Sequence, residues 1–357
     1  MAKKTQEKPN RLPFLIKTKD IVKKVIGRIK ERIRGLLARR PHRSFKKTRR
    51  RDYTRSLKLP GYWTFTNYVW KTLWQHKRTF IGLMVIYALL TALLIGVASQ
   101  ETYQQLSDTL YQTSQDVFKG GWGSLGQASL LLVTGVAGAY NENQSDTQQI
   151  YSVIITLLTW LTTVWLLRAI YTGNKPKLRD GIYAAGAPII PTFLVALVGV
   201  IQLLPVALTA LVFSAGFSMG ALEGGAEAML LWVAGALLGL LSLYWLTSTF
   251  FALVVVTLPG MYPMKALRAA GDLVIGRRFR ILLRILWLLF SVVAVWAVIM
   301  VPLILFDAWI KNVWSALQWV PLVPAAFLIL TTVTVVWMAS YIYLLYRKVV
   351  DDDTAPA

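Results

Sequence analysis

Six apolar stretches, each about long enough for a helix to cross a bilayer and each bounded by polar or charged loops, constrain this chain more than any other feature. A hydrocarbon core of about 30 Å takes roughly 20 helical residues. The stretches run over 80–98, 150–171, 188–213, 229–258, 281–306 and 320–346. Several exceed the minimum, so tilt, kinks or interfacial ends are expected. Backbone groups in lipid must be satisfied within their own segment, so each stretch is predicted helical even where Val and Ile are dense. Composition agrees: 55% of residues are hydrophobic and 16% charged, where soluble domains carry about 25% charge. The predicted fold class is all-α, a polytopic membrane bundle of six transmembrane helices.

Orientation follows from Lys and Arg in the connecting segments. If the N-terminus is cytoplasmic, the inside segments are 1–79, 172–181, 258–280 and the tail after Tyr346. Together with Arg168 and Arg284 at helix ends they hold 37 of the 39 basic residues. The outside segments hold only Lys119 and Lys311 against eight acids, among them Glu101, Asp146, Glu223, Glu227 and Asp307. Both termini are therefore expected in the cytoplasm, with the chain multi-pass in the plasma membrane. The apolar stretch 125–140 is short for a span, and crossing there would put the acidic 141–149 inside, so it reads as an interfacial or re-entrant segment. A basic leader of 79 residues before a 19-residue apolar run is too long for a cleaved signal peptide, so the first span is expected to remain.

Residues 1–79 hold 25 of the 39 Lys and Arg against four acids, nearly the whole net charge of +22. The chain thus divides into a polybasic cytoplasmic head over 1–58, an interfacial aromatic helix over 59–79, the body over 80–346 and a short tail over 347–357. Between 17 and 41, Val22, Val25, Ile26, Ile29, Ile33, Leu36 and Leu37 recur at helical spacing. Lys23, Lys24, Arg28, Lys30, Arg32, Arg34, Arg39 and Arg40 fill the polar positions. Thr18 or Asp20 suits the start of this amphipathic helix and Pro41 its stop. Such a helix lies naturally in an anionic leaflet, each base near the surface contributing on the order of 1 kcal/mol. The alternatives are docking on the protein's own cytoplasmic face or a partly unstructured tail.

A second cluster follows, HRSFKKTRRRDYTR, with Arg43, Lys46, Lys47, Arg49, Arg50 and Arg51. It lies in no recognisable nucleic-acid module, so topogenic charge and headgroup contact are the reading, with RNA or ribosome contact the sharper alternative. The expected partners are membrane lipids with anionic headgroups, a cytoplasmic protein, and other copies of the chain. From Tyr62 to Arg78 the chain is rich in Trp and Tyr. Trp63, Trp70 and Trp74, with Val69 and Leu73, are predicted to share one broad helical face at the inner leaflet, as interfacial anchors.

The search for chemistry excludes more than it finds. Zero cysteines exclude disulfides and thiolate chemistry, and His42 and His76 are the only imidazoles. No metalloprotease, phosphate-loop or nucleophile-elbow motif occurs, so no enzyme activity, metal or cofactor is predicted. Arg168 and Arg284 sit near the inner ends of their spans and are expected to snorkel to the headgroups as interface anchors. Glu223 and Glu227, four apart, would share a helix face, as a cation site or as a solvated surface. Gly216, Gly220, Gly224 and Ala228, with Gly235 and Gly239, suit close helix approach. Gln202 beside Pro205, the hydroxyls at 247–249 and 331–334, and Pro302 define a candidate path through proline-broken third and fifth spans. The same polar groups serve equally as bonds across helix contacts.

Two segments repeat a pattern. TGNKPKLRDGIYAA joins the second span to the third, and LPGMYPMKALRAAGDLV joins the fourth to the fifth. Each carries Gly-x-x-Pro (Gly173 to Pro176, Gly260 to Pro263), then Leu-Arg and an acid, which predicts a parallel repeat. The lead-in VWKTLWQHKRTF, the elbow TLPGMYPMKALRAAGDLVIGRRFRILLRIL and the closing SYIYLLYRKVV give the body a further association. It resembles bacterial membrane proteins related to the membrane domain found fused to glycerophosphoryl diester phosphodiesterases. The resemblance implies the helical membrane fold without the catalytic barrel. The function predicted is a non-enzymatic inner-membrane protein, scaffold, accessory or lipid-associated. The alternative is a transporter or channel.

Overall fold

The computed structural model of the chain describes residues 27, 31, 59–95, 145–218, 225–313 and 322–354. The chain divides into two units, Met1–Arg55 and Ser56–Ala357. In the first only Gly27 and Glu31 are described, both helical. The second is an assembly of ten helices among the described residues. Six stretches of these are long and apolar enough to cross a membrane: Lys77–Leu94, Asp146–Tyr171, Ile189–Phe213, Met229–Val255, Arg278–Asp307 and Leu322–Asp352. Their outward surfaces could not stand in water: Leu93 is 80% exposed, Val298 73% and Leu230 69%.

The spans form three antiparallel hairpins. Helix α1 (Tyr62–Gln75) leads into α2 (Lys77–Leu94), which pairs with α3 (Asp146–Tyr171). The start of α3 is set by a capping box, in which Ser145 Oγ accepts from the Gln148 N–H and Gln148 Oε1 from the Ser145 N–H. The Gln148 amide also donates to the Ile95 carbonyl at 2.9 Å, tying that end of the first hairpin shut. After α4 (Leu178–Ala185), the third span is α5 (Ile189–Gln202) continued by α6 (Leu204–Ser218), and both pack on α7 (Ala226–Val255). After α8 (Pro263–Val274), α9 (Arg278–Val313) pairs with α10 (Leu322–Thr354). Seven consecutive residues of α10, from 339 to 345, are buried, because α2, α3, α7 and α9 all pack around it.

The prolines act differently from the expectation that both the third and the fifth spans break. Pro205 removes an N–H and crowds the preceding turn, so α5 ends at Gln202 and α6 starts with the proline in its first turn. Pro302 lies inside an uninterrupted α9, on the exposed face. Opposite it, Ile281, Ile285, Leu288, Val292, Trp296, Met300 and Ile304 form one buried stripe that holds both halves of the helix in line. Trp296 fixes that stripe by donating from its indole to Thr334 Oγ1 at 2.8 Å. Asp307, counted from sequence among the outer loop acids, belongs to the same stripe and is 1% exposed, since α9 runs on past it to Val313.

A short helix precedes each hairpin, and the three share one register. In α1 the buried residues include Phe65, Val69 and Leu73; in α8 they are Ala266, Ala270 and Val274; in α4 they are Gly181 and Ala185. Counted from each helix start, these are the fourth, eighth and, where the helix is long enough, twelfth positions. Helix α4 packs on both spans of the first hairpin, α2 and α3. Helix α8 packs on both spans of the second, α5 and α7. Helix α1 closes the ring, packing on α10 and reaching α9 through Trp287, whose indole donates to Thr66 Oγ1 at 3.0 Å. The repeat read from two connecting segments is therefore a repeat of three.

The turns before α4 and α8 explain why both need glycine. Gly173 has φ 84° and closes a Schellman-type end of α3, with the Asn174 N–H on the Ala169 carbonyl and the Gly173 N–H on the Ile170 carbonyl. Gly260 has φ 73° at the third position of a Leu258–Met261 turn that has Pro259 second, as a type II turn requires.

Candidate functional site

Basic residues near the span ends meet at one end of the bundle, and several turn inward instead of outward. Arg284 was expected to snorkel; instead its side chain is only 6% exposed. Its guanidinium donates to the Gly61 carbonyl at 3.2 Å and to the Pro60 carbonyl, and lies 4.3 Å from the ring centroid of Tyr62. The physical reason is that the Pro60 and Gly61 carbonyls at the entry to α1 and the rings of Tyr62 and Phe65 lie beside the start of α9 and receive the fork and face of the guanidinium. Arg168 likewise points across the bundle, donating from Nη1 to the Thr257 carbonyl at 3.0 Å and from Nη2 to Thr257 Oγ1. Thr257 Oγ1 passes the polarisation on by donating to the Val254 carbonyl at 2.8 Å.

Sequence reading missed four further participants. Arg277, counted only as loop charge, is 3% exposed and joins the α8–α9 turn to the end of α10 through the Val349 carbonyl at 3.2 Å and Asp352 at 3.4 Å. Tyr68 and Tyr171 bring their hydroxyls to 2.6 Å, linking α1 to α3, and Arg347 lies 4.1 Å over the Tyr171 ring. Burial first, then the hydrogen bond with Tyr171, pushes the Tyr68 phenol up to about 12, while Arg347 pulls the other way. The only signal in the sequence was tyrosines recurring near the basic ends of spans.

Beside Arg168 lies a cavity of about 370 Å³, lined by Leu161, Trp165, Pro188, Pro191 and the Thr257–Gly260 turn. It is bounded by the ends of α3 and α7 and the start of α5. A larger, open groove of about 630 Å³ runs along α3 and the beginning of α5, past Ile150, Val153, Leu157 and Phe193, with Asp146 and Gln149 among its lining.

Other predicted site residues fall into place as follows. Trp63, Trp70 and Trp74 are 75%, 51% and 56% exposed. Val69 and Leu73, expected on their face, are buried against the bundle instead. The helix splits them because its apolar side docks internally, which leaves the indoles outward with Lys77 over the Trp74 ring. Gln202 accepts from Thr249 Oγ1 at 2.6 Å, a bond between α5 and α7. Pro205 begins α6 and Pro302 faces outward. Gly235 allows close approach, since a Cβ there would come within 2.7 Å of Phe213 and 2.8 Å of Thr209; Gly239 faces open space. Glu227 lies in α7, and Glu223 lies outside the described residues.

The predicted head residues Lys23, Lys24, Arg28, Lys30, Arg32, Arg34, Arg39, Arg40, Arg43, Lys46, Lys47, Arg49, Arg50 and Arg51 also lie outside the described residues, as does the segment 125–140. Among the described residues no group of three or more His, Asp or Glu is placed to hold a metal ion. No family model matches the chain, and no curated protein or solved structure matches it either.

Proposed function

We propose that this chain is a multi-pass protein of the bacterial inner membrane, with both termini cytoplasmic, that acts as a scaffold or accessory protein through contact with anionic lipid. It works without catalysis. One observation carries the reading: 25 of the 39 basic residues precede residue 80, with four acids among them, and they lead directly into α1, whose outward face carries Trp63, Trp70 and Trp74. A polybasic segment next to an aromatic interfacial helix is the combination that binds anionic headgroups. The protein reconstituted in nanodiscs of neutral lipid should bind anionic vesicles in trans at low salt and release them as salt rises. Deleting residues 1–58 should abolish that binding; undiminished binding by the truncated protein would refute the proposal.

The transporter reading has one observation in its favour, the break of the third span at Leu203. Against it, the Gln202 side chain is engaged by Thr249 within a helix contact. Solute flux into proteoliposomes that falls on Gln202→Leu would restore it.

A further inference from the structure

We infer that the cavity beside Arg168 binds the phosphate of an anionic glycerophospholipid, at a site separate from the polybasic head. Buried and half-buried arginines elsewhere at this end are neutralised or clasped. Arg277 has Asp352, and Arg284 has two carbonyls and two rings. Arg168 differs. It is half-buried, and among the described residues no carboxylate pairs with it; its partners are the carbonyl and hydroxyl of Thr257, with the phenols of Tyr343 and Tyr346 nearby.

Two of the five guanidinium N–H groups are used by Thr257, so the fork is held in place with donors left over. A cation withdrawn from water with only neutral partners gains strongly from an anion, and a guanidinium matches a phosphate's paired oxygens. The positive end of the α5 helix dipole, at Pro188, lies on the same cavity and acts in the same sense.

The rest of the lining selects the kind of anion. Leu161, Trp165, Pro188 and Pro191 surround the single charge with apolar surface. A free phosphate would give up hydration against that apolar wall and gain nothing from it. A headgroup phosphate brings glycerol and acyl carbons that such a wall accepts. The volume of about 370 Å³ lies at the lower end of the range of pockets that hold small ligands.

Native mass spectrometry of the full-length protein, released from micelles with equal phosphatidylglycerol and phosphatidylcholine, tests this. The wild type should retain one phosphatidylglycerol more than Arg168→Gln, with an affinity at least about tenfold higher for that last lipid. Arg179→Gln, which removes an exposed cation from α4, should retain the wild-type number. Because Arg168→Gln also gives up the bonds to Thr257, Ala187→Trp, at a residue of the cavity lining, is the second variant: it fills the cavity, leaves the arginine intact, and should lose the same lipid. Equal retention by wild type, Arg168→Gln and Ala187→Trp would overturn the inference, as would equal loss in Arg179→Gln. Inorganic phosphate distinguishes the source. If it alone raises the wild-type Tm, with no effect on Arg168→Gln and no retained lipid, the site belongs to a soluble anion and the lipid assignment falls.

Discussion

At Arg284 the side chain is used for the shape of its donors as much as for its charge. Two N–H groups reach two successive carbonyls, those of Pro60 and Gly61, while the flat face lies against Tyr62. Lysine carries the same charge but has neither the fork nor the face. An interface anchor would tolerate Arg284→Lys, because either side chain reaches a headgroup. A clasp for α1 does not. We therefore expect Arg284→Lys to lower unfolding stability in detergent by roughly 1.5–3 kcal/mol, the value of a hydrogen bond to a charged group, and to make α1 accessible to protease while the six spans stay inserted. An unchanged melting curve with α1 still protected would return Arg284 to the headgroups. This inward turn was not legible in the sequence. The partners are backbone carbonyls more than 220 residues away, and carbonyls have no residue type to read.

Among the helices, the spans were legible and the elbows only in part. Each span announces itself by length and hydropathy, and the six predicted stretches overlap all six observed ones. The elbows were legible as connecting segments with Gly and Pro. Their shared register was not, because the residues buried at the fourth and eighth positions of α4 and α8 are Gly and Ala, which contribute almost nothing to a hydrophobic pattern. What they contribute is close approach: a Cβ on Gly181 would already come within 3.1 Å of Leu166 and 3.3 Å of Thr162. The same blindness placed Val69 and Leu73 beside the tryptophans of α1, since large apolar side chains on two faces look like one broad face. The register makes its own prediction. Ala270 is fully buried, so Ala270→Leu should cost about 1–3 kcal/mol through overpacking. Met264→Leu, on the exposed side of the same helix, should leave the melting curve where it was. Equal effects at the two positions would mean that α8 does not dock by its small-residue stripe.

At the scale of the whole molecule, the three elbows bind the hairpins in a cycle, because α4 and α8 each rest on the hairpin before them while the chain moves on to the next, and α1 rests on the third. Helix α4 is covalently joined to the second hairpin yet packs on α2 and α3 of the first; α10, at the far end of the described chain, packs on those same two spans. The first hairpin is therefore held to the others by more than the connecting peptide: α4 and α10 pack on it, α3 packs on α5, and Arg168 reaches Thr257. Helix association in lipid rests on packing and interhelical hydrogen bonds between segments that are already inserted, so the peptide link from Gly173 to Lys177 should be dispensable. Co-expressed fragments 1–173 and 174–357 should insert separately and purify together, with α4 docked against Thr162 and Leu166. Replacing Gly181 with Leu in the second fragment should weaken that association, because the new side chain occupies the space those two residues fill. If the intact fragments insert but fail to associate, the cycle of contacts is not what holds the bundle together. If they associate equally well with Gly181→Leu, α4 is not needed and the remaining contacts carry the joint.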